Sequence, residues 1–246
     1  MEISLELVPR KREDFEQEIL WTRTHIPQIS YVNIPDLTRL PTRSWEAFEW
    51  VNGQYPVIVH IRASDILPDR VEDFATDLKN RGIRHLLVVQ GDERDDGQQG
   101  MTSVELLEGL RMWENDFVLY GAIDPYRQDI AKEMRYVEKK ILAGAKAFLT
   151  QPFFDKKLLT TYHRACEGLS VWWGVTPILS EKSLIYWREK NGVPLPDDYD
   201  LSLEGNAAWA ATVIEEISGD PNASLYLMPI RVDVQSYLPK IFEKLS

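Results

Sequence analysis

Short apolar runs alternate with amphipathic stretches along the whole chain. The runs cover residues 3–8, 29–34, 57–62, 85–90, 117–123, 147–151, 169–175 and 224–230. Most are continuously apolar rather than alternating, which is the pattern of parallel strands covered on both faces. Between them Phe15, Ile19 and Thr22, then Val71, Phe74 and Leu78, then Ile130, Met134, Val137 and Ile141 recur at helical spacing. Each such segment lays one apolar stripe against a sheet. Gly82, Gly144 and Gly168 fall where the third, fifth and sixth helices should end, and Ser44 and Asp155 stand as N-caps.

Strands alternating with helices make βαβ units with right-handed crossovers, and eight units in one chain predict an α/β fold of the (β/α)8 TIM barrel type rather than an open doubly wound sheet. The chain of 246 residues then forms a single domain, residues 1–246, large enough to fold without a disulfide or metal. Residues 191–205, with Pro194, Pro196 and three aspartates, read as a long loop between the seventh and eighth units. Residues 236–246 read as an extra C-terminal helix.

The 28 Lys and Arg against 39 Asp and Glu leave a net charge of −11, which argues against a nucleic-acid or anionic-membrane surface. No run reaches the ~18 apolar residues of a membrane span, and the N-terminus lacks the basic flank of a signal peptide. A cytoplasmic protein is the expectation. The one cysteine, Cys166, lies at helical spacing from Leu158, Leu159 and Tyr162 and reads as a packing thiol rather than a nucleophile. His25, His60, His85 and His163 are scattered, so no metal site is expected. Neither a GxGxxG nor a GxxxxGK[ST] loop occurs, which removes a Rossmann-type nucleotide site.

In a barrel the chemistry sits at the carboxyl ends of the strands. The polar residues there are Glu6, Asn33, His60 and Arg62, Gln90 and Asp92, Asp124, Gln151, Thr176 and Arg231. Glu6 stands out, because a carboxylate among apolar strand residues should hold its proton near neutral pH, as a general acid must. The alternative, that Glu6 points outward or pairs with a neighbour, is equally compatible with the pattern. His60 reads as a ligand contact or a satisfied core imidazole. Trp172, Trp173 and Trp187 read as stacking surfaces for a planar ligand or, more simply, as core.

Several segments together resemble the methylenetetrahydrofolate reductase family of flavin-dependent barrels. Ile3-Ser-Leu-Glu-Leu-Val-Pro-Arg is similar to its opening strand, Pro56-Val-Ile-Val-His-Ile to the third, and Gly82-Ile-Arg-His-Leu-Leu-Val-Val-Gln-Gly-Asp to the fourth. Lys139-Lys-Ile-Leu-Ala-Gly-Ala-Lys-Ala-Phe-Leu-Thr-Gln-Pro-Phe-Phe-Asp matches best, and Gly174-Val-Thr-Pro-Ile is similar to the seventh strand. The resemblance implies reduction of 5,10-methylenetetrahydrofolate to 5-methyltetrahydrofolate, with Glu6 as general acid and Asp92 positioning the pterin. It implies folate contacts from Gln151, Asn33, Trp187 and Arg231, and FAD contacts from His60, Gln90, Asp124, Glu133 and Lys140. The electron donor would be NAD(P)H or a partner protein, and a homo-oligomer or a partner reductase subunit stays open. Gln90 stands where the family has Arg, Glu133 where it has Asp, and Gly121-Ala-Ile-Asp-Pro-Tyr replaces its fifth-strand end. These departures keep a second expectation in play, a folate-binding barrel without independent flavin chemistry. A barrel aldolase or decarboxylase using Glu6 and His60 is a third.

Overall fold

The computed structural model describes residues 1–92 and 100–244. Eight parallel strands close into a barrel in sequence order: β1 (Ile3–Glu6), β2 (Tyr31–Ile34), β3 (Val57–Arg62), β4 (His85–Val89), β5 (Val118–Ile123), β6 (Ala147–Thr150), β7 (Val171–Val175) and β8 (Ala223–Leu227). The predicted TIM barrel is therefore the observed fold, with each strand within a few residues of its expected run. Closure comes from β8 lying beside β1, where Ser4 pairs with Tyr226 and Leu5 with Leu227.

The helices are α1 (Arg12–His25), α2 (Ser44–Ala47), α3 (Val71–Asn80), α4 (Ser103–Leu110), α5 (Ile130–Leu142), α6 (Lys156–Ala165), α7 (Glu181–Asn191), α8 (Leu203–Ile217) and α9 (Val234–Glu243). The crossover from β7 to β8 carries both α7 and α8, and the expected 191–205 loop is the segment joining them. The terminal helix is α9, packed on α8 and α1. Asp155 caps α6 by accepting from the Leu158 N–H at 2.7 Å. Ser44 does not cap α2. It is the first helical residue, and its hydroxyl donates instead to the His60 carbonyl at 2.6 Å, tying α2 to β3. Gly82, Gly144 and Gly168 all take positive φ just past their helices, as a left-handed terminal residue does.

Alternation along the strands sorts the core into two layers. Val57, Val59 and Ile61 of β3 belong to the large cluster between barrel and helices, together with Leu5, Val32, Leu86, Phe148 and Leu225. Ile58 faces inward with Leu87, Tyr120, Leu149, Trp172 and Tyr226. The lower interior is plugged by rings: Tyr31 meets Trp172 edge-on at 5.2 Å, and the His85 ring nitrogen meets the Tyr120 hydroxyl at 3.0 Å. Trp172 is thus a barrel plug, and Trp173 packs on the outer side against Phe153. At Gly174 the backbone of β6 comes so close that an added Cβ would lie 2.5 Å from the Thr150 carbonyl oxygen. Cys166 is buried against Met134 and its thiol is pushed up to about 12 by burial, the chemistry of a packing residue. Among the described residues no helix is long and apolar enough to cross a membrane.

Candidate active site

The strand pleat that turns Leu5 outward turns Ser4 and Glu6 inward, so Glu6 enters the barrel from the carboxyl end of β1. In β8 the same pleat turns Ser224, Tyr226 and Met228 inward. Closure sets the two faces together, and the Tyr226 hydroxyl donates a short hydrogen bond to Glu6 Oε2. Burial raises the Glu6 carboxyl to about 7, with the Tyr226 bond pulling the other way. The same burial and the neighbouring carboxylate hold the Tyr226 phenol well above the ordinary tyrosine value. The inward reading of Glu6 therefore holds, and it sits in a polar pair rather than an ion pair.

Asn33 pairs in register with Glu6, and its Oδ1 lies 3.1 Å from His60 Nε2. His60 is buried and its imidazole is pushed down to about 3 by desolvation. It is neutral across physiological pH, so Nε2 carries the proton that bonds Asn33. The Asn33 Nδ2 group is buried with no hydrogen-bond partner. A buried unpaired amide is expensive, and such groups concentrate where a ligand supplies the missing acceptor. Glu6 also opens onto a cavity of about 270 Å³ shared with Arg10, Glu18 and Arg231. Arg231 adopts φ +58 and, among the described residues, its side chain makes no hydrogen bond or ion pair.

Asp92 follows β4 and extends into solvent, anchored by Arg62 Nη1 at 3.1 Å. Arg62 faces inward on β3 and is itself held by Asp65 at 3.2 Å; Asp65 also binds Arg43, which grips the buried Asp36. Strand-end reasoning found Arg62 and Asp92 but missed Asp65, Arg43 and Asp36, which lie in the segments that follow β2 and β3. Tyr226 was missed because its meeting with Glu6 depends on how the barrel closes. The signal for it was present in the inward alternation of β8.

On the opposite side of the mouth, Gln151, Trp187, Asp124, Tyr126 and Arg127 line a second cavity of about 230 Å³. Trp187 is buried against Phe154 at 5.3 Å, within a small satellite core under α7, and only borders that cavity. Asp124 caps the following turn by accepting from the Tyr126 N–H at 2.9 Å. The structure thus brings Gln151, Trp187 and Asp124 together, and separately Glu6, Asn33, His60 and Arg231.

Of the remaining three residues assigned to the flavin by resemblance, Glu133 and Lys140 are turned into the protein and the exposed Gln90 is tied to its backbone. Gln90 spends its amide on the backbone, accepting from Ser103 N–H at 3.0 Å and donating to the Met101 carbonyl at 3.4 Å. Glu133 is fully buried and accepts from the Asp124 N–H, Arg127 and Gln128 at 3.1, 2.7 and 2.7 Å. Lys140 is buried beneath the Tyr136 ring, and its ammonium donates to the Ala122 carbonyl. Side chains that grip a ligand are left uncovered when the ligand is away; Glu133 and Lys140 are covered by the protein's own atoms, and the exposed Gln90 carries no charge. As placed, the set does not fit a tightly held flavin dinucleotide. Among the described residues no group of His, Cys, Asp and Glu is arranged to hold a metal ion.

Fold and mouth together define a (β/α)8 barrel whose carboxyl end presents a protonatable carboxyl beside a buried neutral imidazole. A sequence profile of the methylenetetrahydrofolate reductase family matches residues 1–205, and the chain belongs to that family. The 5,10-methylenetetrahydrofolate reductase of Escherichia coli K12 is 23% identical over 169 residues, 65% of this chain and 53% of that protein. That of Buchnera aphidicola is 20% identical over 211 residues, 80% of this chain and 72% of its own length. The chain spans about half the length of the first of these relatives. Among solved structures, a Clostridium thermocellum protein that binds two copies of 5-methyl-5,6,7,8-tetrahydrofolic acid superposes with a TM-score of 0.72 at 16% identity, covering 98% of this chain and 92% of that one. A 2,3-dimethylmalate lyase superposes with a TM-score of 0.60 at 9% identity over 99% and 81% of the two chains. At these identities the superpositions show the shared barrel alone.

Proposed function

We propose that the carboxyl end of the barrel binds a reduced folate and serves the reduction of 5,10-methylenetetrahydrofolate to 5-methyltetrahydrofolate, with Glu6 as the general acid. The observation that carries this reading is Glu6 itself: an inward carboxyl, bonded to Tyr226, raised to about 7 and opening onto a cavity. Family membership and the 5-methyltetrahydrofolate bound by the Clostridium thermocellum protein support it.

In this reaction N10 of the folate takes the Glu6 proton, the bond from N10 to the methylene carbon breaks, and N5 carries an iminium. A reduced carrier that is not part of the chain would then supply a hydride to that carbon, making the methyl group. A carboxyl titrating near 7 is matched to this work, since a good part of it is protonated at neutral pH and its conjugate base is still weak enough to give the proton up. Tyr226 binds one carboxyl oxygen and leaves the other for the transferable proton. Neutral His60 keeps a positive charge away from the forming iminium and fixes Asn33, whose free Nδ2 donors meet acceptors on the ligand. Asp92 and Gln151 lie on other sectors of the mouth and receive the donor edge and the body of the pterin, with Arg231 near its anionic tail.

The test is product formation. The protein is incubated with 5,10-methylenetetrahydrofolate and, in turn, NADH, NADPH and chemically reduced FAD, and 5-methyltetrahydrofolate is quantified by mass spectrometry. Formation with at least one donor, lost in Glu6→Gln while 5-methyltetrahydrofolate still binds, is the expected result. Absence of product with every donor, or full activity in Glu6→Gln, defeats the assignment.

A further inference from the structure

We propose that this chain holds no resident flavin dinucleotide, because Glu133 and Lys140, which stand at two of the family's cofactor positions, form with Asp124 and Arg127 a closed structural clamp between β5 and α5.

The clamp can be followed atom by atom. Glu133 Oε1 accepts the Asp124 N–H, and Glu133 Oε2 accepts Arg127 and Gln128, so the carboxylate is saturated on both oxygens inside the protein. Arg127 lies over the Tyr136 ring at 4.8 Å while it pairs with Glu133, and its charge is already compensated. Lys140 lies over the same ring at 4.4 Å and donates to Ala122; Tyr136 is fixed in turn by a 2.9 Å hydrogen bond to Ser103. Gly121 leaves the room this lysine stem needs, since an added Cβ would stand 3.2 Å from Lys140 Cδ. Gln90 secures the start of α4 and offers no charge at all.

A pyrophosphate brings two negative charges and asks for unpaired cations or a free helix N-terminus. Among the described residues of the clamp neither stands free. Arg127 and Lys140 are both engaged inside the clamp, and the N-terminus of α5 is capped by Asp129, which accepts from the Lys132 N–H at 2.9 Å. The reducing carrier of the proposed reaction then binds and leaves rather than staying with the protein. That last consequence rests on the reductase reading; the absence of a resident flavin does not.

The experiment uses the whole chain, expressed with added riboflavin, incubated with excess FAD or FMN and then desalted. The visible spectrum is recorded before and after heat release of any bound flavin. In parallel, 5-methyltetrahydrofolate is titrated by tryptophan fluorescence with and without FAD. No flavin band after desalting and an FAD-independent folate titration are expected. About one equivalent of retained flavin overturns the proposal, and its loss in Lys140→Met would return that lysine to a phosphate-binding role. Failure to bind 5-methyltetrahydrofolate in either condition would instead strike the folate reading, so the two ideas fail separately.

Discussion

Glu6, half-buried, and Glu133, fully buried, both stand at the carboxyl end of the same barrel, and they live in opposite conditions. Glu133 receives three donors within its own loop and serves as an internal anchor. Glu6 receives one, from Tyr226, and its neighbour Asn33 keeps an amide nitrogen with no partner. Polar groups that stabilise a fold are saturated by it, whereas groups kept for a ligand are left partly unspent at a cost to stability. The β8–β1–β2–β3 side of the mouth has the second character and the β5–α5 side has the first.

The sharpest way to break this contrast is Glu6→Gln. If Glu6 gives the proton to N10, the variant should lose about 10²–10⁴-fold in methylenefolate reduction, the usual weight of one general acid. The wild-type rate should also fall as pH rises through about 7, when the acid is deprotonated. Steady-state rates between pH 5.5 and 9 check both. A flat wild-type profile would mean that another group supplies the proton.

Glu133→Ala should leave folate binding nearly unchanged and cost stability. It strands the Asp124 N–H, Arg127 and Gln128, and buried unpaired donors cost about 1–3 kcal/mol each, reduced here because the Arg127 head reaches water. A net loss of about 2–3 kcal/mol lowers the melting temperature of a chain this size by roughly 5–10 °C. Calorimetry beside a 5-methyltetrahydrofolate titration measures the two effects. Lost affinity with an unchanged melting temperature would move Glu133 into the ligand site.

Glu6→Gln should also reveal what its position costs the fold. A carboxyl raised from 4.5 to about 7 imposes no penalty below pH 4.5, a growing one as pH rises toward 7, and the full one above it. The full shift corresponds to about 3 kcal/mol, and partial contact with solvent at the mouth reduces this to about 1–2 kcal/mol. The variant, which keeps an acceptor for Tyr226, should therefore be more stable than the wild type at pH 8 and no more stable at pH 4. His60 acts in the other direction: pushed down to about 3, it costs stability as pH falls below its ordinary 6.5. Denaturant titrations at pH 4 and 8 separate the two residues.

The barrel was legible in the sequence because its strands are long apolar runs and its helices carry clear stripes, and because Gly82, Gly144 and Gly168 mark helix ends that the backbone confirms. The inward placement of Glu6 was only half legible. Periodicity of two puts it on the face of Ser4, but which face is inward follows from what the other face packs against. Tyr226 could not be assigned to it from sequence, because β1 and β8 are 220 residues apart and their register is fixed by closure. The inward turn of Lys140 and Glu133 was invisible for a related reason. A resemblance carries residue identity across, while a side chain's partners are set by the local loop, and here the rebuilt fifth-strand end supplies Arg127, Gln128 and the Ala122 carbonyl as those partners.

The smallest expected effect tests how the two sides of the mouth are joined. Arg62 stands inward on β3, paired in register with Val89, and reaches Asp92 across the end of β4. The position before Gly91-Asp92, where the family has Arg, holds Gln90, which is committed to the α4 backbone. The cation at this end of the site therefore comes from the neighbouring strand. Because the Asp92 carboxylate is 90% exposed, its bond to Arg62 is screened and contributes about 1 kcal/mol or less to stability. Its value lies in orientation. Arg62→Met should raise KM for methylenefolate about 5-fold, the equivalent of about 1 kcal/mol, with kcat changed less and the melting temperature nearly constant. Arg62→Lys should recover part of the loss, since an ammonium restores the charge but not the fork that reaches Asp65 and Asp92 together. An equal fall in kcat and kcat/KM would instead place Arg62 in contact with the reacting atoms, and an unchanged KM would detach Asp92 from the folate.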